Sequence, residues 1–238
     1  MCSLTFKYGR FQEMGGRVLL FNRKSIACNL NDNIPLSTPF EELTFTVFDT
    51  ETTGFRVSTT DRLIEIGAVK VKGLEVQEVD KFHTYANPKR QISREIIELT
   101  GISNEMVEDA PESYEAISDF FKFVESHEST CLVGHYLSFD MLVFKSELKR
   151  EKLTFKKPTT IDTLDFIGYI APSFDMRDLE RYAMAFGTRI YERHTALGDA
   201  LTTAYLFVEL LWQFKNRGYN TWGELLKATD SQSRKVLF

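Results

Sequence analysis

Cysteine is scarce in this chain, with three among 238 residues, at Cys2, Cys28 and Cys131. That number rules out a fully paired internal disulfide framework, and no C-x-x-C pair offers a thiolate zinc site. The expected setting is a reducing cytoplasm. Long apolar runs are missing as well. None approaches the ~20 residues that a membrane helix needs, and "RVLLF" near the N-terminus lacks the small-residue cleavage site of a secretory signal. No internal repeat or low-complexity tract stands out. The chain also lacks the excess of positive charge that usually marks a nucleic-acid binder, since its net charge is −5. Acidic residues collected at a metal site would remove that objection, because two divalent cations (+4) would take −5 to −1. What the chain does have is 43% hydrophobic residues, enough to form the core of one large α/β domain with a small appendage.

Residues 1–42 have weak periodicity, a Gly-Gly pair and loop chemistry around Asn31–Pro39. They are expected to form an N-terminal extension with one or two short helices, ending in a linker. From Leu43 the pattern sharpens. "LTFTVFD" reads as a buried strand, and "RLIEIGAVKV" and "EVQEVDKFHTYAN" follow it across a Lys72-Gly73 turn, predicting a three-stranded meander. The period then changes. "SREIIELTG" predicts a short helix stopped by Gly101, and Pro111 opens an amphipathic helix through "ESYEAISDFFKFVES". "CLVGH" and "TTIDTL" read as the fourth and fifth strands, separated by a helix, "FDMLVFKSELKR", with Ser138 as its expected cap. Asp175 is the expected cap of "MRDLERYAMAF", and "TALGDALTTAYLFVELLWQF" carries a helical apolar stripe. A main domain over 43–215 and a C-terminal helix and tail over 216–238 complete the division. The predicted class is α/β, a mixed five-stranded sheet with helices on both faces.

Three clusters carry chemistry. In "VFDTETTGF", Asp49 and Glu51 stand two apart at the end of a strand, so both carboxylates project from one face. Two anions that close are costly unless a cation lies between them. Asp140, in "GHYLSFD", falls in the first turn of a helix that follows a strand. In "ERHTALGDA", His194 and Asp199 are five apart, about 140° around a helix. His194 is therefore expected in the loop before the helix, with Thr195 near the cap and Asp199 in the first turns. Each cluster alone also has a plainer reading: exposed acids at a turn, an acid complementing a helix dipole, a surface His–Asp pair. Together they bring four carboxylates and an imidazole to one rim of the sheet. Oxygen ligands without thiols select hard cations, Mg²⁺ or Mn²⁺, and four carboxylates suit two of them. The imidazole of His194 is placed to take a proton from an attacking water.

"FDTETTGF", "DRLIEIGAVKV", "LTGISNEMVEDAP", "GHYLSFD" and "HTALGDALTTAYLF" resemble, in this order, the motifs of the DEDDh 3′–5′ exonucleases. This is the DnaQ-like branch, which includes the epsilon proofreading subunit of bacterial DNA polymerase III. The resemblance covers Leu43 to Phe214. It implies a ribonuclease-H-like fold and release of nucleoside monophosphates from a 3′ end. It implies Asp49, Glu51, Asp140 and Asp199 as ligands of two divalent cations, Asp49 bridging them, with His194 as general base. Thr52, Thr53 and Gly54 would lie against the terminal nucleotide, and Leu99 to Ile102, with Thr100 and Gly101, would help hold its base and sugar. Glu65, in "IEIG", is a weaker candidate for lining the site. One departure stands out. The family usually reads His-Asn-Ala-x-Phe-Asp where this chain reads His135-Tyr136-Leu137-Ser138-Phe139-Asp140. Tyr136 either stacks on a base or packs outward.

The partners implied are nucleic-acid 3′ ends, DNA ahead of RNA, and a DNA polymerase or another replication or repair protein. An exoribonuclease with the same chemistry is the alternative reading. A non-catalytic nucleic-acid or polymerase-docking module is a third, which the presence of all five site residues disfavours. The basic run "KSELKREKLTFKK" either touches phosphates or forms a solvated helix end. His83 and His127 read as structural, and His135 as orienting its own loop.

Overall fold

A computed structural model describes residues 25–230 other than Asp32, His127 and Asp175. The short helices expected before residue 25, the Asp175 cap, His127 and the polar tail lie outside these residues. The strands are β1 (Ser25–Ala27), β2 (Thr44–Thr52), β3 (Leu63–Lys72), β4 (Glu75–Tyr85), β5 (Cys131–Gly134), β6 (Thr154–Lys156) and β7 (Thr160–Asp162). The helices are α1 (Arg94–Thr100), α2 (Asn104–Glu108), α3 (Ser113–Ser126), α4 (Ser138–Arg150), α5 (Thr163–Ile170), α6 (Leu179–Ala185), α7 (Ala196–Asn216) and α8 (Trp222–Thr229). The main sheet has the order β4-β3-β2-β5-β7. The β2–β3–β4 meander is antiparallel, and β5 and β7 run parallel to β2. This is the mixed five-stranded sheet that the sequence predicts. Among the described residues no helix is long and apolar enough to cross a membrane.

Strand alternation sends β2 to two different cores. Phe45 and Val47 join Val69, Val133 and Ile161 in packing against Phe207, Leu211 and Phe214 of α7 and Trp222 and Leu225 of α8. Phe48 faces the other way, with Ile66 and Leu132, onto Phe120 and Phe121 of α3 and Phe144 of α4. Each such buried side chain contributes about 1.5–3 kcal/mol, so both helix layers are firmly seated. The register also means that the face of Phe45 and Val47 continues to Asp49 and Glu51.

Two elements were not anticipated. β1 pairs in parallel with β6, forming a separate two-stranded sheet, and Ile26 and Cys28 bury in the core beneath α3 and α4. Phe40, in a short 3-10 turn, is fully buried against Phe214. Residues on both sides of position 42 therefore share the same cores. One helix cap also differs from expectation. Ser138 is the first residue of α4 rather than its cap; the carboxylate of Asp162, the N-cap of α5, accepts from the amides of Tyr136 and Leu137 as well as from Leu164. An ionised carboxylate is the stronger acceptor and serves both helix starts at once. Asp178 caps α6, accepting from the Arg181 amide at 2.9 Å.

Lys70 lies in β3 with 1% of its surface exposed. Its ammonium donates to Thr46 Oγ1 (2.9 Å), Ser129 Oγ (2.7 Å) and the Val124 carbonyl (3.1 Å), and sits 4.5 Å above the Phe123 ring. Burial pushes its pKa down to about 7. An unfolded lysine keeps its proton to a pKa of about 10.4, so above pH 7 the unfolded chain binds more protons and stability rises with pH. Lys70→Met is expected to remove this contribution, so that the stability difference between wild type and variant changes by on the order of 1 kcal/mol per pH unit. Urea unfolding of both proteins at pH 7 and 8.5 checks it, because the buried carboxyls and the Cys28 and Cys131 thiols, which act in the opposite direction, are common to both and cancel in the difference. Equal slopes in the two proteins would contradict it.

Candidate active site

The site forms where β2 runs out of apolar residues. Asp49 pairs across the ladder with Gly67 of β3, and Glu51 with Glu65. All four positions share the face on which α7 lies. Gly67 is bare for a steric reason. A Cβ there would stand 2.2 Å from the Leu197 amide nitrogen and 2.3 Å from the Ala196 carbonyl carbon, so the start of α7 rests directly on the strand. Gly198 has the same function on the other side, where a Cβ would lie 1.9 Å from the Glu192 carbonyl oxygen. Thr195 caps α7, its hydroxyl accepting from the Gly198 amide. Glu65 accepts from the Ala196 amide at 2.8 Å, placing a carboxylate at the positive end of the helix. These contacts deliver Asp199, in the first turn of α7, to the carboxylates of β2.

Asp49, Glu51 and Asp199 each offer a carboxylate oxygen, all within 4.8 Å of one another. Burial raises the Asp49 pKa well above the ordinary carboxylate range, and the charges of Asp140, Asp199 and Glu51 add to the shift. Glu51 rises to about 8 for the same reasons, burial first and then Asp199 and Glu65. Asp199 is raised by burial despite its ion pair with Arg193. Three carboxylates this close repel strongly, and only a cation or a proton relieves them. Their oxygen-only donor set fits divalent metal ions.

Asp140 is buried and stands behind this trio rather than in it. Its Oδ1 accepts the Thr50 hydroxyl at 2.6 Å. Burial raises its pKa to about 7, and its charge is the largest electrostatic influence on Asp49. His194 occupies the predicted loop, exposed at the rim, with a left-handed backbone (φ 61°) whose amide donates to Asp199 Oδ2 at 3.2 Å.

The residues expected to face the substrate divide. Thr52 and Thr53 are buried and spend their hydroxyls inside the loop: Thr52 Oγ1 donates to the Gly54 carbonyl, and Thr53 Oγ1 accepts from the Arg62 amide. Gly54 has φ 145° and leaves no room for a side chain, since a Cβ would sit 2.7 Å from Asp61 Oδ2. Thr100 donates to the Ile96 carbonyl of its own helix, and Gly101 (φ 73°) ends that helix. Leu99 and Phe55 are the exposed apolar groups nearby in sequence, at 47% and 87%. Tyr136 has φ 60°, a region that asparagine tolerates better than tyrosine, and its ring is 60% exposed. His135 donates or accepts at Thr163 Oγ1 (2.8 Å), and burial lowers its pKa to about 4, so it stays neutral.

Sequence reasoning passed over two participants. His83 pairs with Glu65 at 2.6 Å, bracing the carboxylate that holds α7. His83 faces Gly67, so it is a diagonal cross-strand neighbour of Glu65, visible once the register is known. Arg193, next to His194, sends its guanidinium to Asp199 Oδ1 and lowers the pKa values of Asp49, Glu51 and Asp199 against the effect of burial. Its place beside the predicted base was the available signal. Arg193 supplies positive charge to the cluster from within the chain. Arg193→Gln is therefore expected to lower the thermal stability of the metal-free protein and to tighten Mn²⁺ binding several-fold, read by electron paramagnetic resonance. Weaker Mn²⁺ binding would show instead that the guanidinium organises the ligands.

Comparison with known proteins identifies the family. The exonuclease family model (RNase_T) matches residues 46–207. The PolC-type DNA polymerase III of Bacillus subtilis (strain 168) is 39% identical over 189 residues, which is 78% of this chain and 12% of that protein. The PolC-type enzyme of Caldanaerobacter subterraneus subsp. tengcongensis is 36% identical over 200 residues, 82% of this chain and 14% of the relative. The chain thus spans about an eighth of the length of these curated relatives. Among solved structures, exonuclease X in complex with 5′ overhanging duplex DNA shares the fold with a TM-score of 0.60 at 22% identity, over 78% of this chain and 99% of that one. The nuclease domain of 3′hExo, a DEDDh family member bound to rAMP, gives a TM-score of 0.63 at 19% identity, over 71% and 92%. On this agreement of sequence and fold, the chain belongs to the exonuclease family.

Proposed function

We propose that this chain is a metal-dependent 3′–5′ exonuclease that releases nucleoside monophosphates from DNA ends. The observation that carries the reading is the convergence of Asp49, Glu51 and Asp199 within 4.8 Å at the end of β2, with His194 on the loop that enters α7. Asp49, Glu51 and Asp199 would hold the cations, Mg²⁺ or Mn²⁺, with Asp49 central, and Asp140 supports them directly or through water. Bound there, two divalent cations would supply Lewis acidity at the scissile phosphate and charge compensation for the leaving oxygen. His194, exposed at the rim and tied by its backbone to Asp199, is the group that takes the proton from the attacking water. Thr52–Gly54 and Leu99–Ile102 flank the place of the terminal nucleotide.

The relatives named as DNA polymerases support DNA as substrate, with a polymerase or another replication or repair protein as partner. RNA is the second reading, supported by the likeness to a nuclease domain bound to rAMP. Both use the same residues, so the base-and-sugar contacts decide between them. A soluble, cytoplasmic location accords with the absence of a spanning helix among the described residues.

Product analysis on 5′-labelled single-stranded DNA and RNA of one sequence, with Mg²⁺ or Mn²⁺, tests the proposal. A ladder shortening from the 3′ end and lost with EDTA is expected, faster on DNA. Asp199→Ala should abolish cleavage with the fold intact by circular dichroism; near-normal rates there would refute the site. His194→Ala should lose roughly 10²–10⁴-fold, and little change would assign the proton transfer to another group.

A further inference from the structure

The loop of residues 53–62 between β2 and β3 carries Gly54, Phe55 and Arg56 at the rim of the site. Phe55 is 87% exposed, and among described rings its own lies tilted beside that of Phe139, with centroids 5.9 Å apart. The loop is anchored by Val57, which is buried in the core with Phe48 and Phe144, and it is also held from beneath by buried charges. Asp61, 4% exposed, accepts from the Arg56 amide at 2.8 Å and pairs with Arg90 Nη1 at 3.0 Å. Arg90 belongs to the segment between β4 and α1, so Asp61 joins the loop to the wall that ends in Thr100 and Gly101.

A second acid joins the loop to α4. Glu147, 2% exposed, accepts two hydrogen bonds from Arg62 Nε and one from Arg62 Nη2 (2.9–3.1 Å), and a further bond from the Leu63 amide. It also pairs with Arg150, whose Nη2 reaches the carbonyls of Val57, Thr59 and Asp61. Arg150 belongs to the basic run of the sequence but turns inward. Glu147 lies two turns after Asp140, on the same face of α4. One helix face thus sets both the site acid Asp140 and the height of the loop.

Buried ion pairs roughly break even against apolar packing, so such a network is an inefficient source of stability. Its bonds are directional, however, and they fix one loop against two other elements. We propose that Asp61 and Glu147 are positioning residues that hold the loop 53–62 at a set distance from α1 and α4, so that the groove for a 3′-terminal nucleotide is formed before the strand enters. This rests on the exonuclease reading above. A groove already in shape spares the bound strand the cost of ordering it.

Asp61→Asn and Glu147→Gln test the proposal in the full chain, with Asp61→Asn the milder change if Glu147→Gln fails to fold. KM for single-stranded DNA is expected to rise roughly tenfold, with kcat nearly constant. Mn²⁺ binding should stay at the wild-type value, and hydrogen exchange should quicken at the Arg56 and Arg62 amides. An unchanged KM with a loosened loop would overturn the proposal, and so would exchange that does not quicken at those amides. If the wild-type chain degrades no end at all, the exonuclease reading falls separately. The variants are then compared by anisotropy of a labelled single-stranded DNA, where an unchanged Kd overturns the proposal.

Discussion

Repulsion among carboxylates at the end of β2 is the constraint around which this molecule is arranged. Asp49, Glu51 and Asp199 are held within 4.8 Å, with Asp140 adding its charge from behind. Left alone, such a group would protonate or push apart. The fold prevents separation by seating each acid on a rigid element: two on a central strand, one at the start of α4, one in the first turn of α7. The result is a site whose charge is unbalanced without a cation, and Arg193 supplies part of that balance from inside the chain.

Bringing a helix onto a strand closely enough to do this requires missing side chains. Gly67 lets the first turn of α7 lie on β3 directly opposite Asp49, and Gly198 lets the preceding loop fold under it. Glu65 and His83 then lock the helix start in place. A methyl group at either glycine would meet backbone atoms, which cannot move aside as a flexible side chain can. The position of Asp199 therefore depends on residues outside the carboxylate trio.

The same economy governs the rim. One carboxylate, Asp162, holds the loop before α4 and the start of α5 together, and it keeps Tyr136 in a left-handed conformation that a tyrosine adopts at a cost. Thr52, Thr53 and Thr100 turn their hydroxyls to nearby backbone, giving the turns around Gly54 and Gly101 fixed shapes. Strain and buried charge both collect around the acidic cluster, where shape matters most.

Much of this was legible in the sequence, because periodicity and spacing are local. The alternation in β2 placed Asp49 and Glu51 on one face, and the five-residue gap between His194 and Asp199 required a loop followed by a helix, with Thr195 at the cap. Ordered motifs along the chain identified the family and the mixed sheet. Contacts between distant segments were not legible. The parallel pairing of β1 with β6, the Asp162 cap that displaced Ser138, the Glu65–His83 brace and the Asp61–Glu147 network join residues 18 to 131 positions apart or more than one element away. A side chain's partner across the fold depends on strand register and helix seating, and those are settled only when the whole core closes. Composition and local pattern determined which residues this protein has for its chemistry; tertiary packing decided which of them meet.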